Sequence, residues 1–292
     1  MANQREIKDR IKSIKNTCKI TSTMEMISTV KMKKIQGMLD KAKSFDMRMT
    51  GILNNLFSVK GVDYSASLLQ GPNYPSRALV FEIVGNRGLC GSFNSSIIKN
   101  TAQFIEELYI KEDKECSVYS VGKKGMSHYA FTKQSCYKAV PHPADSISFK
   151  DAANFGEELK NLFLKSEFHE IYLSYSKVLS HSSQKPEIIK LLPVSSTADD
   201  YDDMKSSLNY YFEPDPDKVF ECMLPLFLKV KIYRCFLETS YSEFFARRVA
   251  MKNATDASNE MINDLTVAYN RARQAKITNE MLEIIGGVAG LE

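Results

Sequence analysis

Proline is missing from residues 3–57, where glycine occurs only at Gly37 and Gly51, and residues 226–285 contain neither. Without these breakers each end of the chain is expected to form one long helix. A helix of ~55 residues is roughly 80 Å long at ~1.5 Å per residue, too long to bury in one small domain. No apolar leader follows Met1, and no run approaches the roughly 20 apolar residues that cross a bilayer. The expectation is a soluble chain whose route to a membrane is a partner. The six cysteines (Cys18, Cys90, Cys116, Cys136, Cys222, Cys235) show no CxxC spacing, which argues for reduced thiols rather than a disulfide framework or a metal site. There is no HExxH, no Cys/His cluster with metal spacing and no GxxxxGK[ST], so neither a bound metal nor a Walker-type ATP site is expected. Residues 1–44 lack any aromatic, which speaks against a nucleic-acid surface. No internal repeat is present.

What is present is periodicity. A heptad frame runs through Ile7, Ile11, Ile14, Cys18, Thr21, Glu25, Ser28, Met32, Ile35, Leu39, Ala42, Asp46, Met49, Leu53 and Leu56. It turns small and polar at 21–28 and fails once more at Asp46. Its period of 3.5 favours a left-handed supercoil. A second stripe runs through Leu237, Tyr241, Phe244, Arg248, Met251, Thr255, Ser258, Ile262, Leu265, Tyr269 and Ala272, then shifts phase to Ile277, Met281, Ile284 and Val288. The small residues Ala246, Ala250, Ala254, Ala257 and Ser258 allow close approach of a partner helix, for which Thr21, Ser22, Thr23 and Ser28 are suited. Pro225 should kink or delay the last helix, and Gly286, Gly287 and Gly290 should fray its end.

Between these ends the period changes. Strand patterns at 77–84, 116–121, 135–140, 170–176 and 187–192 alternate with helical patterns at 92–110, 123–132 and 148–165, and Ser92 or Asn94 is expected to cap the first of those helices. The fold expected is α/β plus coiled coil: long N- and C-terminal helices forming an antiparallel coiled coil, with an inserted α/β domain of mostly parallel sheet covered by helices. The divisions are 1–60 for the first helix, 75–195 for a Rossmann-like α/β domain and 210–292 for the last helix.

Candidate chemistry is sparse. Gly85-Asn-Arg-Gly-Leu-Cys-Gly91 joins a strand to a helix, as phosphate-binding turns do, but its GxxGxxG spacing fails the dinucleotide fingerprint and reads as a tight turn that needs glycine torsions. The same turn approaches a nucleophile elbow at Cys90, which would need a base from His128, His142, His169 or His181. Gly122-Lys-Lys-Gly125 is a phosphate loop only superficially. Residues 1–60 carry 13 Lys/Arg against 5 Asp/Glu, whereas 238–292 carry 6 against 8. The basic character, including Lys31, Lys33, Lys34, Lys41, Lys43 and Arg48, therefore sits on the first helix, where it is either a solvated face or a surface for an acidic protein partner.

Five blocks in order along the chain carry a resemblance. Residues 19–36 resemble the N-terminal helix signature of the gamma subunit of F-type ATP synthase, and residues 88–94 are similar to that family's Gly-Leu-Cys-Gly-Gly-Leu-Asn turn. Residues 211–216 resemble its approach to the last helix, and 248–256 and 269–280 resemble that helix itself. Ser92 and Phe93 depart from the family's Gly-Leu, and Pro225 and the bulky pair Phe244-Phe245 are unexpected there. The dithiol insertion of the chloroplast type is absent, and Cys116 and Cys136 do not substitute for it.

The resemblance implies a non-catalytic rotor shaft, present in one copy, transmitting rotation between the ion-driven ring of c subunits in the membrane and a hexamer of alpha and beta subunits. The epsilon subunit is a further partner, and no cofactor is implied. It implies a place on the cytoplasmic side of a bacterial inner (plasma) membrane, held there peripherally. By position, Arg273, Gln274, Thr278 and Glu280 would meet catch loops of alpha and beta. Met24, Lys31, Lys33 and Lys34 would pass acidic levers of beta, and Tyr211 and Glu213 would belong to the foot on the ring. Two other classes of function remain in view: a free-standing coiled-coil scaffold for an acidic partner, and a cysteine hydrolase using Cys90.

Overall fold

The structure, a computed structural model, describes residues 4–57, 68–69, 71–72, 74–132, 136–143, 147–180, 183–194, 213 and 216–289. Helix α1 (Gln4–Phe57) and helix α5 (Pro216–Ala289) bracket an α/β region of β1 (Arg77–Ile83), α2 (Phe93–Glu112), β2 (Glu115–Val121), α3 (Lys123–Thr132), β3 (Cys136–Val140), α4 (Phe149–Leu164), β4 (Glu170–Ser180) and β5 (Ser183–Leu192). The sheet order is β3-β2-β1-β4-β5. The first three pairings are parallel and only β4–β5 is antiparallel, so the mostly parallel sheet expected from the strand–helix alternation is what forms. Among the described residues no helix is long and apolar enough to cross a membrane.

Tertiary contacts divide the chain into two compact units, Met1–Thr29 with Arg247–Glu292 and Val30–Ala246. Both draw on α1 and α5. In the second unit, β1 is buried on both faces. One face sends Leu79, Phe81 and Ile83 into a large core with Leu159 and Phe163 of α4, Phe220, Leu228 and Phe236 of α5, and Met49, Leu53 and Leu56 of α1. The Phe81 ring meets Tyr119 edge-on at 5.1 Å and Phe236 at 6.1 Å, a geometry that adds to burial of their area. Further along, Met32, Ile35, Leu39 and Ala42 pack against Leu237, Tyr241 and Phe244.

The opposite face of the sheet buries polar groups beside Ala78, Val80 and Val118. Glu82 is fully buried there and accepts hydrogen bonds from the hydroxyls of Ser120 (2.9 Å) and Tyr129 (3.2 Å). Burial raises its pKa above the ordinary carboxylate value, against hydrogen bonds that lower it. Nearby, the hydroxyls of Thr101 and Ser174 share a hydrogen bond of 2.8 Å.

In the first unit, α1 and α5 pair antiparallel. Thr21 Oγ1 lies 2.7 Å from Thr255 Oγ1, and Cys18 Sγ donates to Asn259 Oδ1 at 3.3 Å, so rising numbers on one helix meet falling numbers on the other. All fifteen heptad positions of α1 are buried or half-buried, including Thr21, Ser28 and Asp46 where the apolar pattern fails. Hydroxyls inside the helix are satisfied four residues back, as Ser28 donates to Met24 O (2.7 Å) and Thr29 to Glu25 O (2.9 Å).

Two local expectations need correction. Helix α5 runs without interruption through Pro225. The missing N–H and ring clash cost roughly 3 kcal/mol, but Phe220, Leu224 and Leu228 around it are each 1% exposed, and burying each such side chain contributes about 1.5–3 kcal/mol. The helix also continues through Gly286 and Gly287 to Ala289. At the start of α2, Ser92, one of the two candidates, holds the N-cap position, though without a side-chain bond; Asn94, the other, turns its amide oxygen to Gly85 N (2.8 Å). Gly290 and the segment 195–212 lie outside the described residues.

Candidate functional site

The residues of α1 and α5 that the resemblance singles out lie along the two helices. Arg273, Gln274, Thr278 and Glu280 are all exposed near the end of α5. At 100° per residue they cover an arc of about 160° on one side of the helix. Thr278 donates back to Gln274 O (3.0 Å), and Glu280 pairs with Lys276 at 3.5 Å. From 273 onward no described side chain is buried, and Ile277, Met281, Leu282, Ile284 and Ile285 are exposed with the polar group. The phase-shifted stripe at 277–284 therefore faces solvent instead of continuing the seam.

Of the lever group, Met24 is half-buried in the first unit, and Lys33 and Lys34 are exposed in the second. Lys31 differs from a plain solvated lysine: its Nζ sits 5.5 Å above the centre of the Phe244 ring, a cation–π contact. The bulky Phe244 thus has a local use. Glu213 is exposed in a bend before α5, and Tyr211 lies outside the described residues.

The glycine turn between β1 and α2 has no room for a second role at its first amide, which Asn94 occupies. A Cβ at Gly85 would meet Glu243 Cδ at 2.9 Å, and Gly91 has φ +58°. Close approach and torsion account for both glycines. Cys90 is 2% exposed and packs with Val84, Phe93, Ile97 and Ile98, while the Asn94 amide donates to its sulfur at 3.2 Å. A thiol so enclosed offers a substrate no access. Among the histidines proposed as its base, His169 accepts from Ser76 N (3.1 Å), His142 packs its ring against Phe236 and His128 against Tyr129; His181 lies outside the described residues. Cys116 is pushed up to about 11 by burial, the opposite of what a reactive thiol needs.

Two features escaped the sequence reading. Arg5, Lys8, Lys12, Lys15 and Lys19 line a groove of about 950 Å³ in the first unit, together with Asn259 and Ile262. Their spacing of three and four was visible beside the apolar frame. The second is an ion network in the other unit, where Arg234 Nε donates to Glu238 Oε1 (2.8 Å) and its Nη1 pairs with Asp46 Oδ2. Lys231 stands 3.6 Å from Asp46 and Lys43 3.8 Å from Glu238. A charge standing at a heptad position was its signal.

A paired-helix stem with its candidate contacts on outer helix surfaces defines a structural coupling subunit. A family model described as ATP synthase matches residues 3–291. The ATP synthase gamma chain of Leptospira biflexa is 37% identical over 291 residues, and that of Gemmatimonas aurantiaca 34% identical over 293, each alignment covering 100% of both chains. In fold, the chain is similar to one from the mitochondrial ATP synthase of Euglena gracilis, in an assembly of OSCP, F1 and c-ring (TM-score 0.67, 19% identity, 99% and 94% coverage). It is likewise similar to one from the central stalk and c-ring of the Tetrahymena thermophila enzyme (TM-score 0.59, 20% identity, 80% and 99% coverage). The chain belongs to the ATP synthase gamma-chain family.

Proposed function

We propose that this chain is the central-stalk rotor subunit of a membrane-bound F-type ATP synthase, non-catalytic itself, coupling rotation of the ion-driven c-ring to the catalytic alpha/beta hexamer. Its family membership and its full-length likeness to gamma chains support this reading, as does the antiparallel α1–α5 pair. The observation that carries it furthest is the end of α5. There, from 273 onward, polar and apolar side chains stand exposed together with none of the described ones buried, as a surface awaiting a surrounding partner would be. We assign Arg273, Gln274, Thr278 and Glu280 to contacts with alpha and beta, Met24, Lys31, Lys33 and Lys34 to acidic levers of beta, and Tyr211 and Glu213 to the foot on the ring. The terminal helices 1–60 and 210–292 are the shaft and 75–195 the inserted domain, next to epsilon. One copy per complex, on the cytoplasmic face of a bacterial plasma membrane, completes the proposal.

Two measurements test it. Purified from its native membrane, the chain is expected at about one copy per three beta subunits, the ratio of a single central element in a threefold hexamer; absence from the complex sinks the rotor reading. Replacing Arg273 and Gln274 together by alanine is expected to leave stability within about 0.5 kcal/mol, as exposed sites do, while lowering rotation-coupled turnover. Unchanged turnover would remove the catch assignment.

A further inference from the structure

The ion network around Arg234 joins three elements of the second unit. Asp46 of α1 and Glu238 of α5 are both fully buried, and Arg234, one turn before Glu238, bridges their carboxylates. The other carboxylate oxygen of Glu238 accepts the backbone N–H of Val178 in β4 at 3.0 Å, and beside it Thr239 Oγ1 accepts Ser176 N at 3.4 Å. An unbroken path thus runs from the sheet backbone through Glu238 and Arg234 to α1. Burial disfavours the charged guanidinium, but Glu238 and Asp46 outweigh that and hold its pKa above the ordinary arginine value, so it stays charged.

Such a network is an odd choice for stability alone. Taking charges out of water costs about as much as their attraction returns, and well-packed apolar replacements often do as well or better. Asp46 stands between Ala42 and Met49, in a seam otherwise filled by apolar side chains that would accommodate one more. Apolar burial is non-directional, so it leaves the register of the helices to shape complementarity alone. A two-pronged arginine between two fixed carboxylates is directional.

We propose that the Asp46–Arg234–Glu238 network is a torsional key, locking α1, α5 and the sheet in one register so that twist applied to the sheet passes to both helices. This rests on the rotor reading. The test is the angular fluctuation of a bead fixed to the α/β domain, with the chain assembled with the alpha and beta subunits of its own complex and the hexamer immobilised. In the triple variant Asp46→Leu/Arg234→Met/Glu238→Gln, where the glutamine oxygen still accepts Val178 N, the angular distribution is expected to broaden while the complex still assembles. Wild-type stiffness in that variant would overturn the key. If the triple variant does not assemble, Arg234→Lys keeps the charge but loses the fork; a broadened distribution there supports the key and an unchanged one overturns it. A wild-type complex that assembles but does not rotate brings down both readings, whereas a rotating complex of unchanged stiffness brings down the key alone.

Discussion

The two units share α1 and one heptad frame, yet their seams differ. In the first unit the frame holds Ile7, Ile11, Ile14, Cys18, Thr21, Glu25 and Ser28, four of them only half-buried. In the second it holds Met32, Ile35, Leu39, Ala42, Asp46, Met49, Leu53 and Leu56, all buried. Period alone does not set the worth of a seam, because a two-helix pair screens each side chain from one direction only. Leu53 and Leu56 instead belong to a core that also takes side chains from the sheet, α4 and α5, and are 2% and 0% exposed. The seam of the first unit is thin, and that of the second is deep.

Substitutions can break that contrast. Leu53→Ala is expected to cost the second unit about 3 kcal/mol through lost transfer energy and a cavity, while Ile11→Ala, half-buried, should cost well under half of that. Amide hydrogen exchange, which resolves local opening, reads the two separately, and equal losses would mean that the seams are alike. A smaller effect is expected at Glu82. Its folded pKa lies above its unfolded value, so its contribution is fully present below the ordinary carboxylate range and lost as pH rises through the folded pKa. Glu82→Gln should therefore stabilise the second unit by roughly 1 kcal/mol near neutral pH and flatten its decline with rising pH. A variant that tracks the native pH dependence would show Glu82 is not its source. The smallest effect belongs to Thr21→Val. Each hydroxyl also has a carbonyl on its own helix, Cys18 O for Thr21 (3.1 Å) and Met251 O for Thr255 (2.9 Å), so either threonine can supply the proton of the bond between them, and Thr21→Val removes one of its two oxygens. Losing the bond should cost about 1 kcal/mol or less, seen as faster exchange in the first unit. A loss rivalling Leu53→Ala would make this hydroxyl pair, rather than apolar contact, the main support of the thin seam.

Much of this was legible in residues. Every position of the α1 frame is buried or half-buried, because side-chain period is local, and the frame misses only Thr50 among the buried residues of that helix. The polar positions Thr21, Ser28 and Asp46 broke the apolar pattern but not the geometry: Ser28 is satisfied four residues back, whereas the partners of Thr21 and Asp46, Thr255 and Arg234, lie more than 180 positions away and were out of reach of a local reading. Pro225 misled because its local cost is outweighed by tertiary burial that no window of sequence contains. The β4–β5 pairing is longer than the apolar runs at 170–176 and 187–192 suggested. Its outer rungs, such as Lys177 opposite Lys185, belong to polar residues, and Lys177 is tied to Glu187 at 2.9 Å. The candidate contacts at 273–280 carry no chemical signature of their own. They were readable only through resemblance, because a bearing surface needs shape and placement rather than reactive groups.

The bare end of α5 also bears on the life of the chain before assembly. Ile277, Met281, Leu282, Ile284 and Ile285 give an unassembled copy a sticky helical tip, the kind of exposed apolar surface that promotes aggregation. Under the rotor reading, synthesis in excess of the hexamer is then a burden on protein quality control, and the surplus is expected to be degraded rather than stored. Matching of subunit numbers would thus be enforced by the insolubility of the orphan, with the hexamer acting as the chaperone of its own axle.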